Sequence, residues 1–142
     1  MAARAGAPWD NRSVQAFSFP MTVSGPYGQY TVDAVVDPNA AYSSVPAPAL
    51  IEMGIQPVRM VRLRAADGKA HFRQVGRALT TVASQEDIAP IIFGEPGEPS
   101  VIGAATLAIL LLEANIEKET VLAVQGWLPS LIYEGDVKEL LQ

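Results

Sequence analysis

The sequence predicts a mainly β fold with one or two short helices, a small β-barrel or sandwich. Three observations predict it. Apolar and polar residues alternate over short runs, as half-buried strands require. Clusters of Gly, Pro, Asn and Asp close those runs. Helical signals are few, and none is long.

The elements follow in order. Residues 1–13 lack apolar periodicity and read as a flexible N-terminal arm, leaving 14–142 as one domain. Phe17, Phe19, Met21 and Val23 alternate with Ala16, Ser18, Pro20 and Thr22, which gives a first strand. Ser24-Gly25-Pro26-Tyr27-Gly28 is turn chemistry, and residues 29–36 return with Tyr30, Val32, Ala34 and Val36 on one face. Residues 46–54 carry early prolines and a terminal Gly54, the asymmetry of a short helix. Strands are expected near 58–65, 69–82 and 88–93, and Ala66-Asp67-Gly68-Lys69 turns the first into the second. The Gly94–Pro99 stretch is low in complexity and reads as a rigid surface loop. A second short helix is expected after Gly103, carrying Leu107, Leu110 and Leu111. Strands near 119–124 and 130–133 and a helical turn at 136–141 complete the chain.

Composition narrows the chemistry. The chain has Lys+Arg 10 against Asp+Glu 15, a net charge of −5, which argues against a nucleic-acid surface. Arg59, Arg62 and Arg64, with Arg73 and Arg77 following, are the nearest thing to a basic patch. Their alternation with Val61 and Leu63 reads as a solvated strand face, with a ligand site as the lesser alternative. There is no cysteine and one histidine, His71, so no usual zinc site can form and no metal or cofactor is expected. His71 itself reads as an exposed strand residue. The longest apolar run, 107–112, is far too short for a bilayer core of about 30 Å, and residues 1–13 do not resemble a signal peptide. No membrane partner is expected, and the predicted location is the cytoplasm.

No phosphate loop, dinucleotide fingerprint or Gly-x-Ser-x-Gly elbow is present. The segment that stands out is Val32-Asp33-Ala34-Val35-Val36-Asp37-Pro38-Asn39-Ala40-Ala41-Tyr42-Ser43, an apolar strand running straight into an acid. Two readings of Asp37 are open at this point. One is an acid that caps its own β-turn, for which Asp-Pro-Asn is ordinary composition. The other is a catalytic carboxylate.

The wider pattern resembles the single-domain, retropepsin-like aspartic proteases. In that family a strand delivers the acid of an Asp-Thr-Gly-Ala signature, and a short helix with a Leu-Gly-Ile-like ending follows. Here Asp37 is followed by Val45-Pro46 and Leu50-Ile51-Glu52-Met53-Gly54-Ile55. Ala66, Asp67 and Gly68 fall where the family places its flap hairpin. Val101-Ile102-Gly103 and the residues after them resemble the family's apolar pair, glycine and short helix. The resemblance spans residues from about 15 to about 124. It departs at one point: Pro38 and Asn39 stand where the family has Thr and Gly.

The resemblance implies a retropepsin-like β-barrel and a homodimer in which each chain gives one Asp37 to a catalytic pair. It implies an aspartic endopeptidase acting on extended peptides. Ala40 would complete the active-site loop with Pro38 and Asn39, and Val101, Ile102 and Gly103 would back it. In the family the Thr hydroxyl ties the two loops together and the Gly supplies an N–H near the carboxylate. Pro38 has neither hydroxyl nor N–H. A catalytically degenerate homodimer that binds peptides therefore stands as the alternative, and an unrelated β-barrel as a third reading. Terminal strands near 15–23 and 119–133 are candidates for intersubunit pairing. Trp127, Leu128, Leu131, Ile132 and Tyr133 either cover a core edge or lie in the dimer interface.

Overall fold

The computed structural model describes residues 16–129. The proposed arm 1–13, the strand expected near 130–133 and the turn at 136–141 lie outside them. Leu131, Ile132 and Tyr133 lie outside them as well.

The fold is mainly β. Strand β1 (Ser18–Gly25) turns into β2 (Gly28–Val36), and the two pair antiparallel over their whole length. Met21 and Val23 of β1, with Ala34 and Val36 of β2, point inward and are almost fully buried. This is the alternation seen in the sequence, since successive strand side chains face opposite ways. After the Asp37 loop come β3 (Ser43–Pro46) and helix α1 (Ala47–Glu52). The helix ends as its glycine predicts, with Gly54 N–H on the Ile51 carbonyl and Ile55 N–H on that of Leu50. Strands β4 (Pro57–Arg64) and β5 (Ala70–Val82) form a long hairpin, and β6 (Gln85–Gly94) returns along β5. The short β7 (Val101–Ile102) leads into α2 (Ala104–Ile109), and β8 (Leu112–Asn115) pairs with β9 (Thr120–Ala123) in a separate ribbon.

Seven strands form one sheet in the order β1-β2-β7-β3-β6-β5-β4. A further pairing of β1 with β5 joins six of them into a ring, with β4 outside it. The edge of β5 is shared: residues 70–76 take β4, and residues 79–81 take β1. The main core fills the ring, with Val45, Leu50, Ile91 and Ile102 fully buried. Each such side chain contributes about 1.5–3 kcal/mol. A smaller cluster of Val61, Val75 and Ile92, with Tyr42 and Leu63 packed on it, lies under the β4–β5 hairpin.

Three local expectations need correction. Strands β3 and β8 were not foreseen, because four-residue runs such as Ser43–Pro46 are too short to show a period. Leu111 is not a core residue of the helix: the chain leaves α2 at Leu110, and Leu111 adopts φ 54° and is 51% exposed. Arg73 does not sit on a solvated face, since its side chain is only 13% exposed.

Candidate active-site loop and hairpin

Asp37 is the first residue beyond β2, and the chain fixes it through its backbone. The parallel pairing of β2 with β7 sets Val35 against Val101 and Val36 against Ile102. Val35 N–H donates to the Ser100 carbonyl at 2.8 Å, and Asp37 N–H donates to the Ile102 carbonyl at 3.0 Å. Val101 also faces Ser44 of β3, so the two-residue strand is gripped from both sides. Val101 and Ile102 thus lie beside the acid.

The acid then opens a tight turn. Ala40 N–H donates to the Asp37 carbonyl at 3.0 Å, and Asn39 N–H donates to Asp37 Oδ1 at 3.0 Å. Asp37 is half-buried, while Pro38 and Asn39 are exposed. The second bond revises an expectation. The N–H that a glycine would offer the carboxylate is supplied by Asn39, and Asn39 is not among the non-glycine residues with positive φ. Its backbone therefore does not need a glycine. Position 38 offers neither a hydroxyl nor a backbone N–H. The same bond is what a turn-capping aspartate makes, so it fits both readings of Asp37.

The rest of the loop caps α2. The first N–H groups of a helix have no partner within it. Here Ala104 N–H donates to the Ala40 carbonyl at 2.7 Å and Ala105 N–H to that of Ala41 at 3.0 Å. This packing requires Gly103: a Cβ there would lie 2.4 Å from the Tyr42 carbonyl oxygen. Below it, buried Ser43 Oγ accepts Gly103 N–H at 3.0 Å and bonds Thr106 Oγ1 at 2.5 Å. Sequence reasoning assigned Ser43 and Thr106 no role. Thr106 gave a signal as the one hydroxyl residue in the apolar run 104–110, whereas Ser43, flanked by Tyr42 and Ser44, gave none.

The β4–β5 hairpin has the opposite character. Gly68 N–H donates to the Ala65 carbonyl and Ala65 N–H to that of Lys69, both at 2.9 Å. Gly68 supplies the left-handed residue of this three-residue loop, at φ 84°. Asp67 Oδ1 accepts Lys69 N–H at 2.8 Å, and Arg64 reaches the Gly68 carbonyl at 2.7 Å. That backbone N–H, with His71 and Lys69 nearby, holds the Asp67 carboxyl below its usual range. His71 Nε2 lies 3.5 Å from Asp67 Oδ2, too far for a hydrogen bond, so the contact is electrostatic.

A cleft of about 440 Å³ joins the two regions. Ala40 and Val101 line it from the Asp37 side, and Leu63, Arg64, Ala65 and His71 from the hairpin. Ala66, Asp67 and Gly68 form the tip beyond, and Asp37 is not among the lining residues. Arg59 ties the hairpin base to the loop through a 2.9 Å bond to the Tyr42 hydroxyl. Among the described residues no group of three or more His, Asp or Glu could hold a metal ion. No helix among them is long and apolar enough to cross a membrane.

No protein-family model and no curated protein sequence matches the chain. Solved structures do match it. One is the solution structure of simian foamy virus (mac) protease, at 15% sequence identity and a TM-score of 0.48. That match covers 66% of this chain and 94% of the viral one. Likeness at this level leaves the chemistry to be argued from the chain's own geometry.

Proposed function

We propose that the protein is an aspartic endopeptidase of retropepsin-like type, a homodimer in which each chain contributes Asp37. The observation that carries this reading is the mounting of Asp37. At a strand end Asp37 donates its backbone N–H to the Ile102 carbonyl, accepts the Asn39 N–H on its carboxylate, and opens a loop that shares a cleft with a long hairpin. A turn cap explains the Asn39 bond but not the hairpin and cleft beside it.

One chain offers one such acid, and the chemistry needs two, so two chains pair about a two-fold axis. Two carboxylates about 3 Å apart cannot both ionise and share one proton. The ionised member takes a proton from water as its oxygen attacks the scissile carbonyl carbon. The protonated member gives its proton to the carbonyl oxygen. Collapse of the tetrahedral intermediate breaks the C–N bond, and the departing amine takes up a proton. Titration belongs to the pair rather than to either Asp37. The hairpin tip at Ala66, Asp67 and Gly68 closes over an extended peptide and excludes water.

Pro38 favours a second reading, a degenerate homodimer that binds peptides without cutting them, because it cannot supply the interchain hydroxyl. Sedimentation and peptide cleavage at acidic pH decide between the two. The first reading expects a dimer at micromolar concentration. It also expects cleavage blocked by a statine-type inhibitor, with Asp37→Asn lowering the rate by about 10²–10⁴-fold or more while the fold is kept. A dimer that binds peptide without cleavage supports the second reading, and a strict monomer removes both.

A further inference from the structure

Arg73 and Glu98 belong to neither the Asp37 loop nor the hairpin tip, yet they bridge the two regions that the proposed reaction needs. Arg73 projects from the inner face of β5, beside Val61 of β4 in the strand register. Its guanidinium grips Glu98 with both ends: Nε lies 3.3 Å from Oε1, and Nη2 makes a shorter contact with Oε2. Nη1 donates to the Phe72 carbonyl at 2.8 Å, and Glu95 Oε1 stands 3.6 Å from Nη2. Glu98 is itself held in place, since its Oε1 accepts Glu95 N–H at 2.9 Å and its N–H donates to the Glu95 carbonyl at 3.0 Å.

The connection runs on from there. Two residues past Glu98, the Ser100 carbonyl accepts Val35 N–H, and the Ile102 carbonyl then accepts Asp37 N–H. Arg73 and Glu98 line the same cleft as Ala40 and Val101. We propose that Arg73 and Glu98 are a positioning pair, which fixes the hairpin base to the loop before β7 and thereby sets the backbone of Asp37. A bidentate guanidinium–carboxylate pair suits this because it fixes orientation as well as distance. The Arg73 side chain is mostly enclosed, so losing its partner leaves a poorly solvated cation that must move. The pairing is felt on both sides: Glu98 raises the Arg73 guanidinium above its ordinary value, and Arg73 holds the Glu98 carboxyl below the usual range.

The catalytic side of this inference rests on the proposed protease reading, but the coupling does not. The test uses the full chain with Glu98→Gln, Arg73→Lys and the charge swap Arg73→Glu with Glu98→Arg. Amide exchange is followed at Val35, Asp37 and Val23, beside kcat and KM for an unstructured peptide. Glu98→Gln is expected to speed exchange at Val35 and Asp37 by about tenfold while Val23 stays protected. It is also expected to lower kcat more than it raises KM. The swap, where it folds, is expected to recover part of both effects. Faster exchange confined to residues 95–98, or a uniform rise that includes Val23, overturns the proposal. If the wild type cuts no peptide, the protease reading fails, and the exchange pattern still decides the role of the pair.

Discussion

The Asp37 loop and the hairpin tip are both short turns with an aspartate at work, but they are held in opposite ways. Asp37 is fixed by bonds from distant parts of the chain: Ile102 takes its N–H, Ser100 takes that of Val35, and α2 rests on the carbonyls of Ala40 and Ala41. At the tip the bonds and contacts among the described residues are local, between residues 64 and 71, and the whole turn is exposed. A Cβ at Gly103 would strike backbone, whereas one at Gly68 would meet nothing within 4 Å. Long-range contacts make a segment costly to open, and local ones let it open readily by itself. The proposed hydrolase reading calls for both, a fixed acid and a movable cover.

The comparison breaks most severely at Gly103. Gly103→Ala puts a methyl group against the Tyr42 carbonyl, where only backbone can yield. We expect a loss of about 1–3 kcal/mol or more in denaturant unfolding. Gly68→Ala strains only its own residue, costing roughly 1–2 kcal/mol, with exchange in Tyr30–Val36 unchanged. A larger loss at Gly68 than at Gly103 would reverse the contrast.

Ser43→Ala leaves the buried Gly103 N–H and Thr106 hydroxyl short of partners and is expected to cost about 1–3 kcal/mol. Adding Thr106→Val should cost less than the sum of the two single changes, because they share one bond. Strict additivity in such a cycle would mean that the two hydroxyls do not act together.

Position 38 sharpens the account of the loop. Asn39 already supplies its N–H, so Asn39→Gly alone should leave cleavage within about twofold and cost about 0.5–1 kcal/mol of stability. Pro38→Thr restores a hydroxyl, and a gain of about 1.4 kcal/mol in transition-state binding would raise the rate about tenfold. Equal responses at the two positions in a peptide assay would contradict this division of roles.

The smallest effect is the pH response of Glu98, the carboxylate that pairs with Arg73 of the hairpin. Glu98 has its folded value depressed, chiefly by Arg73, with Glu95 and His71 also facing the site. A depressed carboxyl contributes stability that is present above its unfolded value, ordinarily 4.5. That contribution is lost as pH falls through the lower folded value. Glu98→Gln should therefore narrow the stability gap to wild type as pH drops below about 4.5. A gap that is the same on both sides of that pH would deny the ion pair its role.

Much of the ring was legible because its strands bury one face and expose the other. Met21, Val23, Ala34 and Val36 declare β1 and β2, and Asp67-Gly68 declares the hairpin. Position in the chain also exposed Asp37, an acid at the end of an apolar strand. What stayed hidden was interaction across the sequence. Nothing local marks Arg73 as different from Arg62, since its partner Glu98 lies in a loop 25 residues on. Ser43 and Thr106 are 63 residues apart and meet only because β7 is threaded between β2 and β3. The Pro38-Asn39 pair was half legible: that Pro38 carries no hydroxyl is a fact of composition, but the Asn39 N–H on Asp37 Oδ1 is a fact of geometry.

Mixing the wild type with Asp37→Asn tests the central claim most directly, that two copies of Asp37 act together. The two chains are combined in known ratios, allowed to exchange subunits, and assayed for peptide cleavage at acidic pH. If both acids are needed, activity falls as the square of the wild-type fraction, to about one quarter in an equal mixture with random pairing. A linear fall to about one half, or cleavage by Asp37→Asn alone, contradicts the shared pair.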